Sequence, residues 1–426
     1  MTPERTDVLV VGGGLVGASL ACALAPLGLE VTLLEAAAPR QPDPPSYDDR
    51  TLALGAASCR ILEGLGLWAG VADSATAIRQ VTVTERGRPG HVLMDAAAMG
   101  LPAFGHVVEA RAFGEAVLRR LEALEGVRFE WPVRATGLEQ ENGRVTVTAE
   151  RDGQATAWSA RLVIGADGAN SSIRSLLGID AHSHEYGQVA VICNVTPEVF
   201  HDHRAFERMT DTGPFALLPH VGERCGLVWC VPEEAGQALL DTDEAAFLAR
   251  ATERSGGALG DLQRCGRRSL YPLRRVVPER DRDGRVLLLG NAAHAIHPVG
   301  AQGFNLGLRD VAVLAELIAD AQPGAGPGAG PGADPGIDPG ADHLLERYSE
   351  WRRPDHASTV GWSHDMVQLF ASQSPLTRLA RSAALTAVGL SPTLQRRLAS
   401  RAMGYRGRVP RLALGEPLGR AWEPNP

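Results

Sequence analysis

The chain opens on a long apolar run whose interruptions decide what it forms. Residues 7–11 read as a buried strand, 16–27 as a helix and 30–34 as a second strand, with Pro26 and Gly28 supplying the helix stop. The 22 uncharged residues between Asp7 and Glu30 are long enough to span a membrane. Gly12, Gly13, Gly14, Gly17, Pro26 and Gly28 break them, however, and Glu4, Arg5 and Asp7 stand where a leader would carry basic residues. The segment therefore reads as strand–turn–helix–strand. Further along, the pattern predicts a helix over 111–124, strands over 144–149 and 162–165, and a short helix over 171–177. It predicts β-rich segments over 188–195 and 215–231, with Gly222 and Gly226 as turns or bulges. A buried strand over 285–289 then leads to an amphipathic helix over 304–319.

Composition removes several chemistries. None of the 42 basic side chains is lysine, which excludes a P-loop lysine, a Schiff base and a pyridoxal phosphate lysine. A formal charge of -8 argues against a general nucleic-acid footprint. The six cysteines form no C-x-x-C pair, so neither a metal site nor a disulfide framework is expected.

Residues 323–340, PGAGPGAGPGADPGIDPG, form a low-complexity stretch that reads as a linker or surface loop. Beyond it, residues 366–415 carry eight arginines and no acid, which leaves 34 basic against 50 acidic side chains elsewhere. Leu369, Phe370, Leu376, Leu379 and Leu385 recur among them at roughly helical spacing. Two readings stay open: helices packed on the body with arginines solvated or paired, or a surface that docks on an anionic membrane or a partner.

Gly12-Gly13-Gly14-Leu15-Val16-Gly17 places G-x-G-x-x-G between a predicted strand and helix. There Gly12 makes the turn, Gly14 lets backbone approach a pyrophosphate, and Gly17 lets the helix pack close to the strand. The helix N-terminus offers free N–H groups to phosphates. Glu35, closing the second strand, can accept from ribose hydroxyls, which favours FAD or NAD over NADP. This unit alone does not separate FAD from NAD. Gly165-Ala166-Asp167-Gly168 and Gly290-Asn291-Ala292-Ala293-His294, followed by His297-Pro298 and Gly300-Ala301-Gln302-Gly303-Phe304-Asn305, are further strand–turn–helix connections.

Together, GGGLVG, GADG with its following SSIR, and GNAAHAIHPVGAQGFNLGLRD resemble the class A aromatic flavoprotein monooxygenases, which have a p-hydroxybenzoate hydroxylase-like fold. The segments YDDRTLALGAASCRILEGLGLW, GHVVEARAFGEAVL, AFERMTDTGPFALLP and LLERYSEWRRPD are similar to the ubiquinone-biosynthesis hydroxylases of the 2-polyprenyl-6-methoxyphenol hydroxylase type.

The resemblance implies an α/β fold: an FAD-binding Rossmann-type domain (1–75, 105–180, 275–320), an interleaved β-sheet substrate domain (76–104, 181–274), a linker (321–342) and a C-terminal helical region (343–426). It implies that Gly12, Gly13, Gly14, Gly17 and Glu35 hold the ADP part of FAD, with Arg50 beside the cofactor and Arg111 at its phosphates. By the same resemblance Asp167 would contact FAD and nicotinamide, while Asn291, Gly303 and Asn305 would surround the ribityl chain and flavin. The family usually has an acid at 291; asparagine can still hydrogen-bond a hydroxyl, without the charge. Pro298 lies near the flavin face where oxygen reacts, and His297 is a candidate catalytic group. The implied activity is hydroxylation of a polyprenyl phenol with NAD(P)H and O2 through a flavin hydroperoxide, by a cytoplasmic protein peripheral on the inner face of the membrane. A membrane surface or ubiquinone-biosynthesis partner proteins would meet the arginine-rich C-terminal region. The rivals are a reductase or halogenase of the same fold, although halogenases carry a catalytic lysine, and a non-enzymatic prenyl-binding scaffold.

Overall fold

Val8, Leu9 and Val10 are buried on both faces of strand Glu4–Val11, as a parallel strand covered on both sides requires. The computed structural model describes residues 2–37, 51–322, 337–372 and 374–418. In it, Glu4–Val11 pairs in parallel with Val31–Leu34 and with Gln154–Gly165. Val127–Glu130 and Val286–Leu288 extend this sheet on either side, again in parallel. Helices Leu15–Leu24 and Gln302–Asp320 bury their apolar residues in one core with Val8 and Val10. Leu9 and Val11 face a second core built with the hairpin Arg134–Glu141 and Arg144–Arg151.

The second large sheet also has eight strands, running from Leu262–Cys265 through Ala181–Pro197, Cys225–Pro232, Gly213–Pro219, Arg204–Thr210 and Gln80–Glu85 to His91–Asp95, with Ser269–Pro278 beside Ala181–Pro197. The chain enters this sheet twice, because Gln80–Glu85 pairs in parallel with Arg204–Thr210 from far along the sequence. The α/β arrangement with an interleaved second sheet and C-terminal helices is thus the one expected. Thr51–Gly55, Gly105–Glu109 and Thr76–Ile78 form a small sheet between the two.

Some local readings change. Gly222 does turn, at φ +70°, but Gly226 lies inside strand Cys225–Pro232. A Cβ there would sit 2.4 Å from Thr51 Oγ1, so this glycine admits the neighbouring strand rather than making a bulge. Of the low-complexity stretch, 323–336 lie outside the described residues. Ile337 is buried in the main core and Asp338 pairs with Arg285 at 2.6 Å, so the packed body resumes before residue 340.

Helices Asp342–Ala371, Pro375–Leu390 and Pro392–Met403 finish the chain, followed by a short turn of helix at Arg411–Leu414. Among the described residues no helix is long and apolar enough to cross a membrane.

Candidate active site

The first turn is built to be tight. Gly12 has φ +111°, and a Cβ on it would lie 2.4 Å from the Ala166 carbonyl oxygen; one on Gly17 would lie 2.0 Å from the Gly12 carbonyl oxygen. Strand, turn and helix therefore meet at backbone contact. Gly14 caps helix Leu15–Leu24 without any side-chain bond, leaving its first N–H groups for a ligand. The Gly13 N–H donates to Glu35 Oε2 at 2.8 Å, and the Ala37 N–H donates to Oε1 at 2.9 Å. The Glu35 carboxylate is thus fixed beside the turn at the end of the second strand.

Asp167 caps the short helix Ser172–Leu176 through Oδ2, which accepts from the Ser172 N–H at 2.6 Å and from its hydroxyl at 2.7 Å. Its Oδ1 is buried with no hydrogen-bond partner. Asn291 sits in the turn Gly290–Ala292 at the cavity margin, and its side-chain amide has no partner among the described residues. A glycine turn closed to any side chain, an uncapped helix end and an orphaned carboxylate oxygen together fit a dinucleotide cofactor.

Arg111, at the start of helix Ala110–Ala123, is mostly exposed and lies 3.9 Å from Glu109. Arg50 lies outside the described residues. Asn305 is spent on the protein itself: Oδ1 accepts from the Gly55 N–H at 2.8 Å, and Nδ2 donates to the carbonyls of Ala53 and Ala301 at 2.8 and 2.7 Å. It brackets the small sheet to the start of helix Gln302–Asp320. Gly303 lines the cavity in that helix's first turn, and a Cβ on it would meet only Ile296 within 4 Å.

A cavity of about 730 Å³ runs between the second large sheet, the small sheet, the segment from Asn291 to Asn305 and the C-terminal helices. Asn291, Pro298 and Gly303 line one part of it, and Leu385, Val388 and Leu398 another. Gly300 and Ala301, at φ +68° and +51°, fold the Pro298 loop so that the uncapped N-terminus of helix Gln302–Asp320 faces the same space.

His297 is not on that wall. It is fully buried behind Pro298, its ring 5.1 Å from that of Tyr186, and its Nδ1 accepts from the Val299 N–H at 3.2 Å. Burial pulls its pKa from 6.5 down to about 4, so the imidazole is neutral near pH 7. The unfolded chain binds this proton below about pH 6.5 and the fold refuses it until about pH 4, so stability is lost as pH falls through that window. The loss should reach about 3 kcal/mol at its acid end. His297→Asn, which keeps an acceptor for Val299, should flatten this part of the pH–stability profile in urea titrations; an unchanged slope would contradict the assignment.

Behind the loop lies a charge cluster that inspection of motifs missed. Asp310 accepts from His294 at 2.5 Å, His356 at 2.6 Å and Arg352 at 2.7 Å, while Asp355 joins Arg309 at 2.8 Å and Arg352 at 2.9 Å. Burial acts to raise the Asp310 carboxyl, but the charges of His356, Arg352 and His294 hold it well below the usual carboxylate range. Two histidines and a carboxylate this close could hold a metal ion, yet a guanidinium already occupies the carboxylate. The cluster is an ionic latch joining the 290–301 loop to helices Gln302–Asp320 and Asp342–Ala371. The only sequence signal was a pair of charged strings, LRD and RRPDH, in otherwise helical patterns.

A family model described as the FAD binding domain matches residues 5–330, and the chain belongs to that family. It is an FAD-dependent monooxygenase of the class A flavin hydroxylase type. Over 97% of its length it is 37% identical to ubiquinone hydroxylase UbiL of Rhodospirillum rubrum, covering 93% of that protein. It is 30% identical to 3-demethoxyubiquinol 3-hydroxylase of Escherichia coli, covering 95% of this chain and all of that one. Among solved structures, p-nitrophenol 4-monooxygenase PnpA of Pseudomonas putida shares the fold, with a TM-score of 0.76 at 21% identity over 95% of this chain and 100% of that one.

Proposed function

We propose that the protein hydroxylates the aromatic ring of a polyprenyl phenol in ubiquinone biosynthesis, using NAD(P)H as reductant and O2 as oxygen source. The observation that carries this reading is the long, largely apolar cavity. Its volume suits a small-molecule site; Pro298 lines one part of it, and Leu385, Val388 and Leu398 give it apolar lining that would suit a prenyl chain. When bound, FAD supplies activation of O2 for transfer of one oxygen atom to an electron-rich ring. Gly12, Gly13, Gly14, Gly17 and Glu35 would hold its ADP part, with Asp167 and Asn291 offering polar atoms further in. The apolar walls exclude water from the reacting ring. Deleting the gene in its host should accumulate a prenylated phenol lacking one ring hydroxyl, read by mass; an unchanged quinone pool would overturn the reading.

A polyprenyl chain is collected from a bilayer, and we place that contact on helix Pro375–Leu390. Leu376, Leu379 and Leu390 are 80%, 68% and 80% exposed on this helix, and Ala383 and Ala387 continue the stripe at helical spacing. Leu385 and Val388 on the same helix line the cavity. The arginines divide. Arg381 pairs with Glu85 at 2.5 Å, Arg401 lies over Trp362 at 5.1 Å, Arg408 lies over Trp351 at 3.5 Å, and Arg411 bonds Asp320 and Glu316. Arg396 and Arg397 are exposed. The tail is therefore a packed helical region whose apolar stripe would enter the interface, with those two arginines facing anionic headgroups. Changing Leu376, Leu379 and Leu390 together to Ser should weaken sedimentation with anionic vesicles at least about tenfold at unchanged flavin content. Vesicle binding equal to that of the natural protein would remove this helix from the contact.

A further inference from the structure

Strand Arg204–Thr210 carries one carboxyl into the cavity. Glu207 stands opposite Ala216 on one neighbouring strand and Val83 on the other, and all three line the cavity together with Cys230. Pro298, Val299 and Gly300 line the same cavity, so this acid shares its space with the loop that begins at Pro298. Gly300 is itself held in place, since Gln302 Nε2 donates to its carbonyl at 3.1 Å.

An acid in apolar surroundings is costly unless a charge or a ligand meets it. Four cationic side chains from other elements line this cavity, and three of them have other partners. Arg309 is paired with Asp355, Arg381 with Glu85, and Arg401 donates to the Ser358 carbonyl at 2.7 Å. Arg406, Tyr271 and Cys230 complete the titratable groups of the wall. No ion pair joins Glu207 to any of them among the described residues. Burial pushes the Glu207 carboxyl above its ordinary range, and the Gly300 amide only partly opposes this. The neighbouring Cys230 thiol is pushed up by burial first and by the Glu207 charge second. A largely apolar cavity thus carries one acid without a counter-charge, on the same wall system as the Pro298 loop.

We infer that Glu207 is a catalytic residue of the hydroxylation, accepting the phenolic O–H of the bound ring and taking its proton as the ring reacts. The inference rests on the reading that the ligand is a phenol. In the step, the phenolic O–H bond breaks toward a Glu207 oxygen and its electron pair moves into the ring. A ring carbon forms the new carbon–oxygen bond with one oxygen atom of O2, for which NAD(P)H has supplied the two electrons. The O–O bond breaks, its pair leaving with the other oxygen, which ends as water. The carbon then loses its C–H proton, restoring the aromatic ring, and Glu207 returns its proton to the first phenolic oxygen. A base whose pKa lies near the working pH suits this task.

The sign of the pH dependence follows. Glu207 must be ionised to accept the proton, so turnover falls as pH drops through its raised pKa, above the range of an ordinary carboxyl. Glu207→Gln copies the shape of the protonated acid and should retain flavin and fold. It should lower kcat by about 10²–10⁴-fold and abolish this acid limb, while Glu207→Asp keeps the limb.

Binding provides a readout independent of turnover. The FAD-loaded protein is titrated with a 2-prenylphenol and with its O-methyl ether, following the flavin absorption. The natural protein should bind the phenol at least about tenfold more tightly, and Glu207→Leu should erase that preference. If natural protein and Glu207→Leu discriminate equally, or if Glu207→Gln keeps its rate and acid limb, the role of Glu207 is overturned. If the preference depends on Glu207 yet no prenylated phenol is hydroxylated, the contact stands and the proposed reaction is what fails.

Discussion

Gly12→Ala should strip the protein of FAD and cost the fold about 2–4 kcal/mol. The new Cβ would sit 2.4 Å from the Ala166 carbonyl oxygen and 2.7 Å from the Asp167 nitrogen, on a backbone held at φ +111°. Both contacts are main chain in the adjoining strand–turn connection, so neither can rotate away. Relief requires the ends of the paired strands Glu4–Val11 and Gln154–Gly165 to separate, and that movement destroys the cradle for the pyrophosphate. Gly168→Ala is the internal control. It also has positive φ, +84°, but nothing lies within 4 Å of its Cβ position. It should cost only about 1 kcal/mol of backbone strain and keep its flavin. Flavin-to-protein absorbance after gel filtration and urea midpoints separate the two cases. Equal flavin content in both variants would remove the Gly12 turn from the cofactor site.

Asp310→Asn should destabilise the protein by about 3–5 kcal/mol, although it changes one atom. The side chain is fully buried and accepts from Arg352, His294 and His356 at 2.5–2.7 Å. Neutralising it leaves the Arg352 guanidinium, itself buried, with Asp355 as its remaining anion. It also turns an acceptor for three donors into a group that brings an N–H of its own. The latch ties the 290–301 loop to two helices, so flavin should be released earlier in urea than the helices unfold. Pairing the change with Arg352→Met tests the mechanism, because the double variant should recover part of the loss. Strict additivity of the two single effects would show that the pair does not act as a unit.

The strand–turn–helix unit was legible because each of its requirements is local: consecutive apolar residues, glycines at fixed offsets, and an acid at the end of the next strand. Glu35 could be picked out for that reason, as an acceptor for ribose hydroxyls; the structure adds that it accepts from the Gly13 N–H. The wall that carries Pro298 was legible only through resemblance, since a loop of glycine, alanine and proline has no periodicity to read. Asn305 and His297 show the limit of that route. Asn305 lines the cavity while its amide brackets two elements, and His297 is buried behind the wall. The Asp310 latch left only two charged strings in the sequence, and Glu207 left no signal. Each depends on elements brought together from distant segments, and a lone acid in an alternating strand looks like an exposed residue until its neighbours are known. The arginine-rich tail reads differently once folded, because Arg381, Arg401, Arg408 and Arg411 among others find partners inside the protein and Leu376, Leu379 and Leu390 of helix Pro375–Leu390 stand exposed.

The measurement that tests the central claim most directly is oxygen incorporation. The FAD-loaded protein is incubated with NAD(P)H, a prenylated phenol and isotopically labelled O2, and the organic products are analysed by mass. The account predicts one new ring hydroxyl carrying a single labelled oxygen atom, formed only when flavin, reductant and phenol are all present. Oxidation of the nicotinamide with no labelled phenolic product would contradict it.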